Sequence, residues 1–242
     1  MLEGLYSAAA GMTAQQQRMD TLANDVANVN TTGYKHTRVA FRDLLYTQDR
    51  AGVVSSGAGA AATAVGRGFA QGALRETGSK LDVAIEGDGF LQVRRADGTT
   101  ALTRDGSLRL DPNGRLTTQR GELLQAAITV PAGTNEADIS IAADGTVSAA
   151  NRQLGRIQLV TVRAPQALQS AGDSLFVATA ASGPAQAMPA GRMVQGALES
   201  SNVDLADAMT QMMESQRSFQ MASKAVQMQD QMLQIANQVK AS

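Results

Sequence analysis

The sequence contains one histidine and no cysteine. That excludes thiolate chemistry and disulfide staples, and it leaves any imidazole step to His36 alone. One imidazole without thiolates does not make an ordinary zinc site, and no Ser/His/Asp arrangement can be assembled around His36, which sits between Lys35 and Thr37. Gly87 and Gly89 in EGDGFLQV take the first places of a dinucleotide fingerprint, but residue 92 is Gln where the third glycine is needed. DPNGRLTT (111–118) has the Asp and Gly of a calcium loop without its alternating carboxylates or terminal Glu. Asp105 and Asp111 could be cast as a glycosidase pair, yet they stand beside Gly106 and Pro112, in turn contexts. Asn30-Thr31-Thr32 fits a glycosylation sequon, but no leader precedes it. No catalytic, cofactor-binding or metal-ligating residue is assigned, and no cofactor is expected. The residues point to assembly and not to an enzyme.

Totals agree. The net charge is −1 and the pI is near 5.9, so there is no basic footprint for nucleic acid. No apolar run is long enough to span a bilayer, and residues 1–20 lack the basic and apolar halves of a secretory leader. Hydrophobic residues make up 43% of the chain but aromatics only 3%, so the core must be aliphatic, with Ala and Met as filler.

The ends differ from the middle. All five prolines lie between Pro112 and Pro189, and the last glycine is Gly196. Both ends therefore favour helix. In the N-terminal stretch Leu5, Met12, Met19 and Val26 recur every seven residues, with Ala8, Gln15, Leu22 and Val29 as the companion row. Alternating steps of three and four make a coiled-coil seam. In the C-terminal stretch Leu205, Met212, Phe219, Val226 and Leu233 form one seam, joined by Ala208, Ala222 and Ala236, with Ser215 and Gln229 as gaps. A second seam follows Met221, Ala225, Met228, Met232, Ile235 and Val239, about a third of a turn away. One seam suffices for one partner, so two predict a neighbour from another chain. Such Met- and Ala-rich helices are marginal alone, which predicts ends that fold fully on association.

Between them lie short β-segments, from LDVAI (81–85) and FLQVRR (90–95) through ALTR, SLRL, ELLQ, ITV, ISIA and TVSA to RIQLVTV (156–162). Asp88-Gly89, Asp97-Gly98, Asp105-Gly106, Asn113-Gly114 and Asp144-Gly145 punctuate them as hairpin turns. The fold class read from this pattern is α+β, with the two terminal helices paired as a coiled-coil stem and an antiparallel β-rich domain inserted between them. The expected divisions are 1–46 for the N-terminal helix and turn, 47–79 for an extended Gly/Ala-rich arm, 80–190 for the β-rich domain and 191–242 for the C-terminal helix. The first helix should stop near Asn28–Asn30, with Gly33 reversing the chain. Tyr34, Phe41, Leu44, Leu45 and Tyr46 should anchor the exit.

LANDVANVNTTGYK (22–35) resembles the N-terminal signature of the bacterial flagellar axial proteins, the rod and hook family. The match runs through Asn24, Asn28, Asn30, Thr31, Thr32, Gly33, Tyr34 and Lys35. DVAIEGDGFLQV (82–93) with LTRDGSLRLDPNGRLTTQRGELL (102–124) resembles the shared β-core, and VQGALESSNVDLADAMTQMMESQRSFQMASKAV (194–226) resembles the C-terminal signature. FRDLLY (41–46) points to the distal rod branch, with the proximal rod as the alternative. The resemblance implies a structural subunit of the basal-body rod, required for motility, that assembles with itself as a hollow helical polymer transmitting torque to the hook. Its partners would be neighbouring rod and hook subunits, the flagellar type III export apparatus and surrounding ring proteins. It would lie outside the cytoplasm without a cleaved leader. Outside the family, a wall-acting glycan protein on a helical stalk and a plain coiled-coil scaffold are the competing readings.

Overall fold

The computed structural model describes residues 2–43, 46–48, 55–57, 60–150, 152–188 and 191–241. They divide into two compact units. The first comprises Met1–Ala27, Thr37–Val65 and Asp204–Ser242, the second Asn28–His36 and Gly66–Val203.

The first unit contains both helices, α1 (Leu2–Ala27) and α2 (Leu205–Ala241). Asp204 starts α2 by accepting the free amides of Ala206 and Asp207 at 2.9 and 3.1 Å, the role of an N-cap carboxylate. The helices pack against one another, and the Arg18 guanidinium donates to Gln211 Oε1 at 3.2 Å. α2 has 37 residues and α1 has 26, so about 16 Å of α2 has no counterpart in α1. The sequence suggested a Gly/Ala-rich arm over 47–79, but Ala60–Arg67 is a strand paired with Thr37–Asp43. Small side chains suit close strand pairing even where they cannot build a core. Tyr46–Gln48 pairs with Ser55–Gly57. Phe41, expected as an anchor, is 42% exposed with the Arg18 guanidinium above its ring. Leu44 and Leu45 lie outside the described residues, as does the side chain of Tyr46.

The second unit is β-rich and antiparallel. Its central strand is Phe90–Arg94, with Thr100–Thr103 along one edge. The other edge is shared, by Leu159–Thr161 at the start of the strand and Leu123–Leu124 at its end. FLQV can serve this place because its period-two alternation puts apolar groups on both faces. Leu91 and Val93 enter an aliphatic core with Leu81, Val83, Ile85 and Leu116. Phe90 enters a smaller core with Leu102, Val160 and Phe176 on the other face. There Phe69, Phe90 and Phe176 meet edge-to-face with centroids 5.1–6.3 Å apart. Aspartates close the hairpins: Asp97 accepts from Thr99, Asp111 from Asn113 and Arg115, and Asp144 from Thr146.

The C-terminal segment begins differently from the expected helix over 191–242. Arg192–Gln195 pairs with Val83–Glu86, and Ala197–Glu199 pairs with Leu74–Glu76. α2 starts only at Leu205. The β-unit thus takes in 66–79 and 191–203, whose short strands carry too few large apolar residues to announce themselves.

Candidate functional site

α1 ends at Ala27, and Asn28–His36 belongs to the β-unit. The turn is built locally first. Thr31 N–H donates to Asn28 C=O at 3.1 Å, and Thr31 Oγ1 donates to Asn28 Oδ1 at 3.1 Å. Gly33 has φ +65°, and a Cβ there would stand 2.6 Å from Asp105 N. Both facts require glycine. Thr32 Oγ1 donates to Asp105 Oδ1 at 3.1 Å, and Gly33 N–H donates to Glu199 C=O at 2.9 Å. Asp105 also accepts from Ser107 N–H. It is therefore a turn and docking group, and Asp111 is bound to its own hairpin and to Arg115.

Beyond the turn, Tyr34 and Lys35 are buried. Lys35 Nζ donates to Glu199 Oε1 at 2.6 Å and to Ala70 C=O at 2.7 Å. Gly72 N–H donates to the same Oε1 at 2.8 Å, and Arg104 Nη1 reaches Glu199 Oε2 at 3.1 Å. The three charged side chains are at most 2% exposed. One carboxylate holds two cations in a place closed to water, with the Arg104 guanidinium 5.4 Å from the Phe90 ring. Arg104 Nε has no hydrogen-bond partner among the described residues. Burial pushes the Lys35 ammonium below its ordinary value, against the opposing pull of Glu199. Arg67 closes the outer side. It donates to Lys35 C=O at 2.7 Å and lies 5.3 Å from the Tyr34 ring.

His36 has a structural place. Its backbone N–H donates to Asn202 Oδ1 at 2.9 Å, and its Nδ1 is 3.2 Å from the same oxygen. Asn202 Nδ2 donates to Gly68 and Ala70 carbonyls, which fixes Oδ1 as the acceptor. Nδ1 must then carry the proton.

The expected signature residues divide accordingly. Thr32, Gly33, Tyr34 and Lys35 meet in the site. Thr31 and Asn28 brace the turn, Asn30 is exposed, and Asn24 remains on α1. The site also needs Arg104, Glu199 and Asn202, which the sequence reading did not single out, and Asp105, which it read as a turn residue. Their trace was visible. Arg104 and Glu199 are lone charges in otherwise neutral strand-forming stretches, ALTR and GALES, where a charge needs a partner.

The seam residues lie in the first unit, apart from Val29. Met12, Met19 and Val26 are half-buried and Leu22 is buried. Ala14, in neither expected row, is 2% exposed. Met212, Phe219 and Val226 are half-buried, whereas Leu205 is 43% exposed. The gaps Gln15 and Ser215 each carry a buried oxygen without a partner among the described residues. Met221, Met228, Met232 and Ile235 are 56–65% exposed; Met209 and Met213, nearer the start of α2, are 53% exposed but lie about 80–120° round the helix from that row. The side chains of Leu5, Leu233 and Val239 lie outside the described residues.

Residues 5–35 match the family model for the flagella basal body rod protein. Residues 84–149 match that for the flagellar hook protein FlgE/F/G D1 domain, and 194–239 that for the flagellar basal body rod FlgEFG protein C-terminal region. Over 99% of both chains, the sequence is 41% identical to the flagellar basal-body rod protein FlgG of Borreliella burgdorferi. This chain belongs to the flagellar basal-body rod family. It is also 37% identical to FlgG of Caulobacter vibrioides over 99% of this chain and 100% of the relative. With FlgF of Escherichia coli it shares 36% over 99% and 98%. The chain is a structural subunit of the rod, a member of a structural family and not of an enzyme family, and its place is the flagellar basal body among other rod and hook subunits. Among the described residues no helix is long and apolar enough to cross a membrane. The buried charge cluster takes Lys35, Arg104 and Glu199 from the three family-matched segments in turn. In this rod subunit, residues separated along the chain close a single lock.

Proposed function

We propose that this subunit is of the distal rod type and polymerises through a coiled-coil stem made of α1 and α2. The observation that carries the reading is the row Met221, Met228, Met232 and Ile235, each at least 56% exposed. A helix with one partner buries one stripe, and this row is left over. Growth of a shaft needs a patch on each subunit that fits a different patch on the next, and the leftover stripe supplies one. In this reading Met12, Met19, Leu22 and Val26 face an intrachain row of Met212, Phe219 and Val226, while Met221, Met228, Met232 and Ile235 face neighbours. Each large apolar side chain fully covered there contributes about 1.5–3 kcal/mol. The signature turn is locked into the β-unit by Lys35 and Glu199. The export apparatus and the surrounding rings are the further partners of this reading.

Replacing Met228 with Asp tests it. The variant should fail to elongate while its β-unit keeps native amide protection. Normal elongation would sink the second seam. The proximal rod is the second reading, favoured by the near full-length similarity to FlgF. The axial position of the subunit in isolated basal bodies decides between the two.

A further inference from the structure

The chain has eleven methionines. Five of them, Met209, Met213, Met221, Met228 and Met232, are 53–65% exposed and all lie on α2. Met193 is 4% exposed, and Met12, Met19, Met188 and Met212 are half-buried. The five lie within 24 residues of helix, from Met209 to Met232, about 35 Å end to end at 1.5 Å per residue. No cysteine is present to consume an oxidant first. A thioether is flexible, apolar and readily oxidised, and its sulfoxide is polar.

We propose that these exposed α2 methionines are a site of reversible oxidation by hydroperoxides, and that oxidation of Met221, Met228 and Met232, which share one stripe, turns off assembly of the free subunit. The inference rests on the assembly reading above. The thioether sulfur attacks one oxygen of hydrogen peroxide. The O–O bond breaks, an S–O bond forms, and the departing hydroxide takes up the remaining proton to leave as water. Sulfur is oxidised by two electrons and the peroxide is reduced. Each product carries an S=O dipole into a seam that would otherwise be dry, where it finds no donor and loses its hydration. A reductase with two thiols reverses the step. The sulfoxide oxygen leaves as water, and the thiols become a disulfide. Subunits already in the polymer are shielded because the same row is covered, so the switch acts before incorporation.

The test uses the full chain, untreated or treated with dilute hydrogen peroxide. Peptide masses locate the added oxygens, and sedimentation measures the critical concentration for association. Oxygen should enter the five α2 positions ahead of Met193. The critical concentration should rise about tenfold or more and return after treatment with methionine sulfoxide reductase. A chain with all five replaced by leucine, a volume-conserving change, should associate and ignore peroxide. Equal association of the oxidised and untreated chains, or peroxide sensitivity persisting in the leucine chain, overturns the switch and leaves the assembly reading standing. An untreated chain that never associates overturns the assembly reading, and the switch with it.

Discussion

Replacing Glu199 with Gln should unfold the β-unit far more readily than a neutral, isosteric change suggests. The carboxylate accepts from Lys35 Nζ and Gly72 N–H on one oxygen and from Arg104 Nη1 on the other. The glutamine oxygen can replace only one of these acceptors, and its NH2 group would point donors at a donor. Lys35 and Arg104, at most 2% exposed, then lose their only counter-charge within the cluster. Breaking one partner out of a buried ion pair costs about 3–5 kcal/mol. With a urea slope of about 2 kcal/mol per molar, the midpoint should fall by about 2 M. Urea unfolding of the full chain, read by amide exchange in the strands Phe90–Arg94 and Ala197–Glu199, measures this. Pairing Glu199→Gln with Lys35→Met should cost less than the sum of the two, with a coupling of about 1–3 kcal/mol. The same cluster has an alkaline signature. Because burial lowers the Lys35 pKa in the fold below its ordinary value of 10.5, the native chain sheds this proton at lower pH than the unfolded chain. Between the lowered value and 10.5 the unfolded state binds more protons, so this contribution to stability rises with pH. Lys35→Met should remove that rise. A Glu199→Gln chain within about 0.5 kcal/mol of the parent, the range of an ordinary surface change, would refute the account of the lock.

Gly33→Ala should cost about 2 kcal/mol or more, through positive φ and the clash with the 104–105 backbone. A drop in the thermal midpoint of the β-unit measures it. Ser215→Ala should stabilise the helix pair by about 1 kcal/mol, since it removes a buried hydroxyl without a partner among the described residues; helical ellipticity against temperature is the readout. Asp97, Asp111 and Asp144 are held below 3.8, chiefly by the Thr99 side chain, the Arg115 N–H and the Thr146 N–H respectively. Their contribution is complete above 3.8 and is lost as pH falls through the lowered values. Asp111→Asn should flatten the acid limb of a pH-stability curve below 3.8.

Period and punctuation made much of the molecule legible. The absence of proline and glycine from the last 46 residues, with a sevenfold apolar repeat, foretold a long helix, and α2 runs from Leu205 to Ala241. Asp97-Gly98, Asn113-Gly114 and Asp144-Gly145 close hairpins as expected, because their conformational needs are local, whereas Asp88-Gly89 and Asp105-Gly106 are turns between strands that pair elsewhere. Eight of the nine anticipated strand segments overlap observed strands; in ITV only a bridge from Thr129 to Arg115 forms. The strands at Ala60–Arg67 and Ala197–Glu199 were not legible. They are short or built of small residues, so their pairing depends on what lies alongside and not on their own periodicity.

The sequence by itself determined where helices and turns occur, which stripes are apolar, and which family the signatures resemble, since these depend on residue type and spacing within a few turns of chain. Only the tertiary structure decided that the signature turn belongs to the β-unit, and that Lys35, Arg104 and Glu199 share one dry site. It also decided that Met221, Met228 and Met232 remain exposed while Ala14 is covered. The physical reason is that burial and ion pairing are properties of neighbours in space. A lysine's spacing along the chain carries no information about the carboxylate 164 residues away that neutralises it.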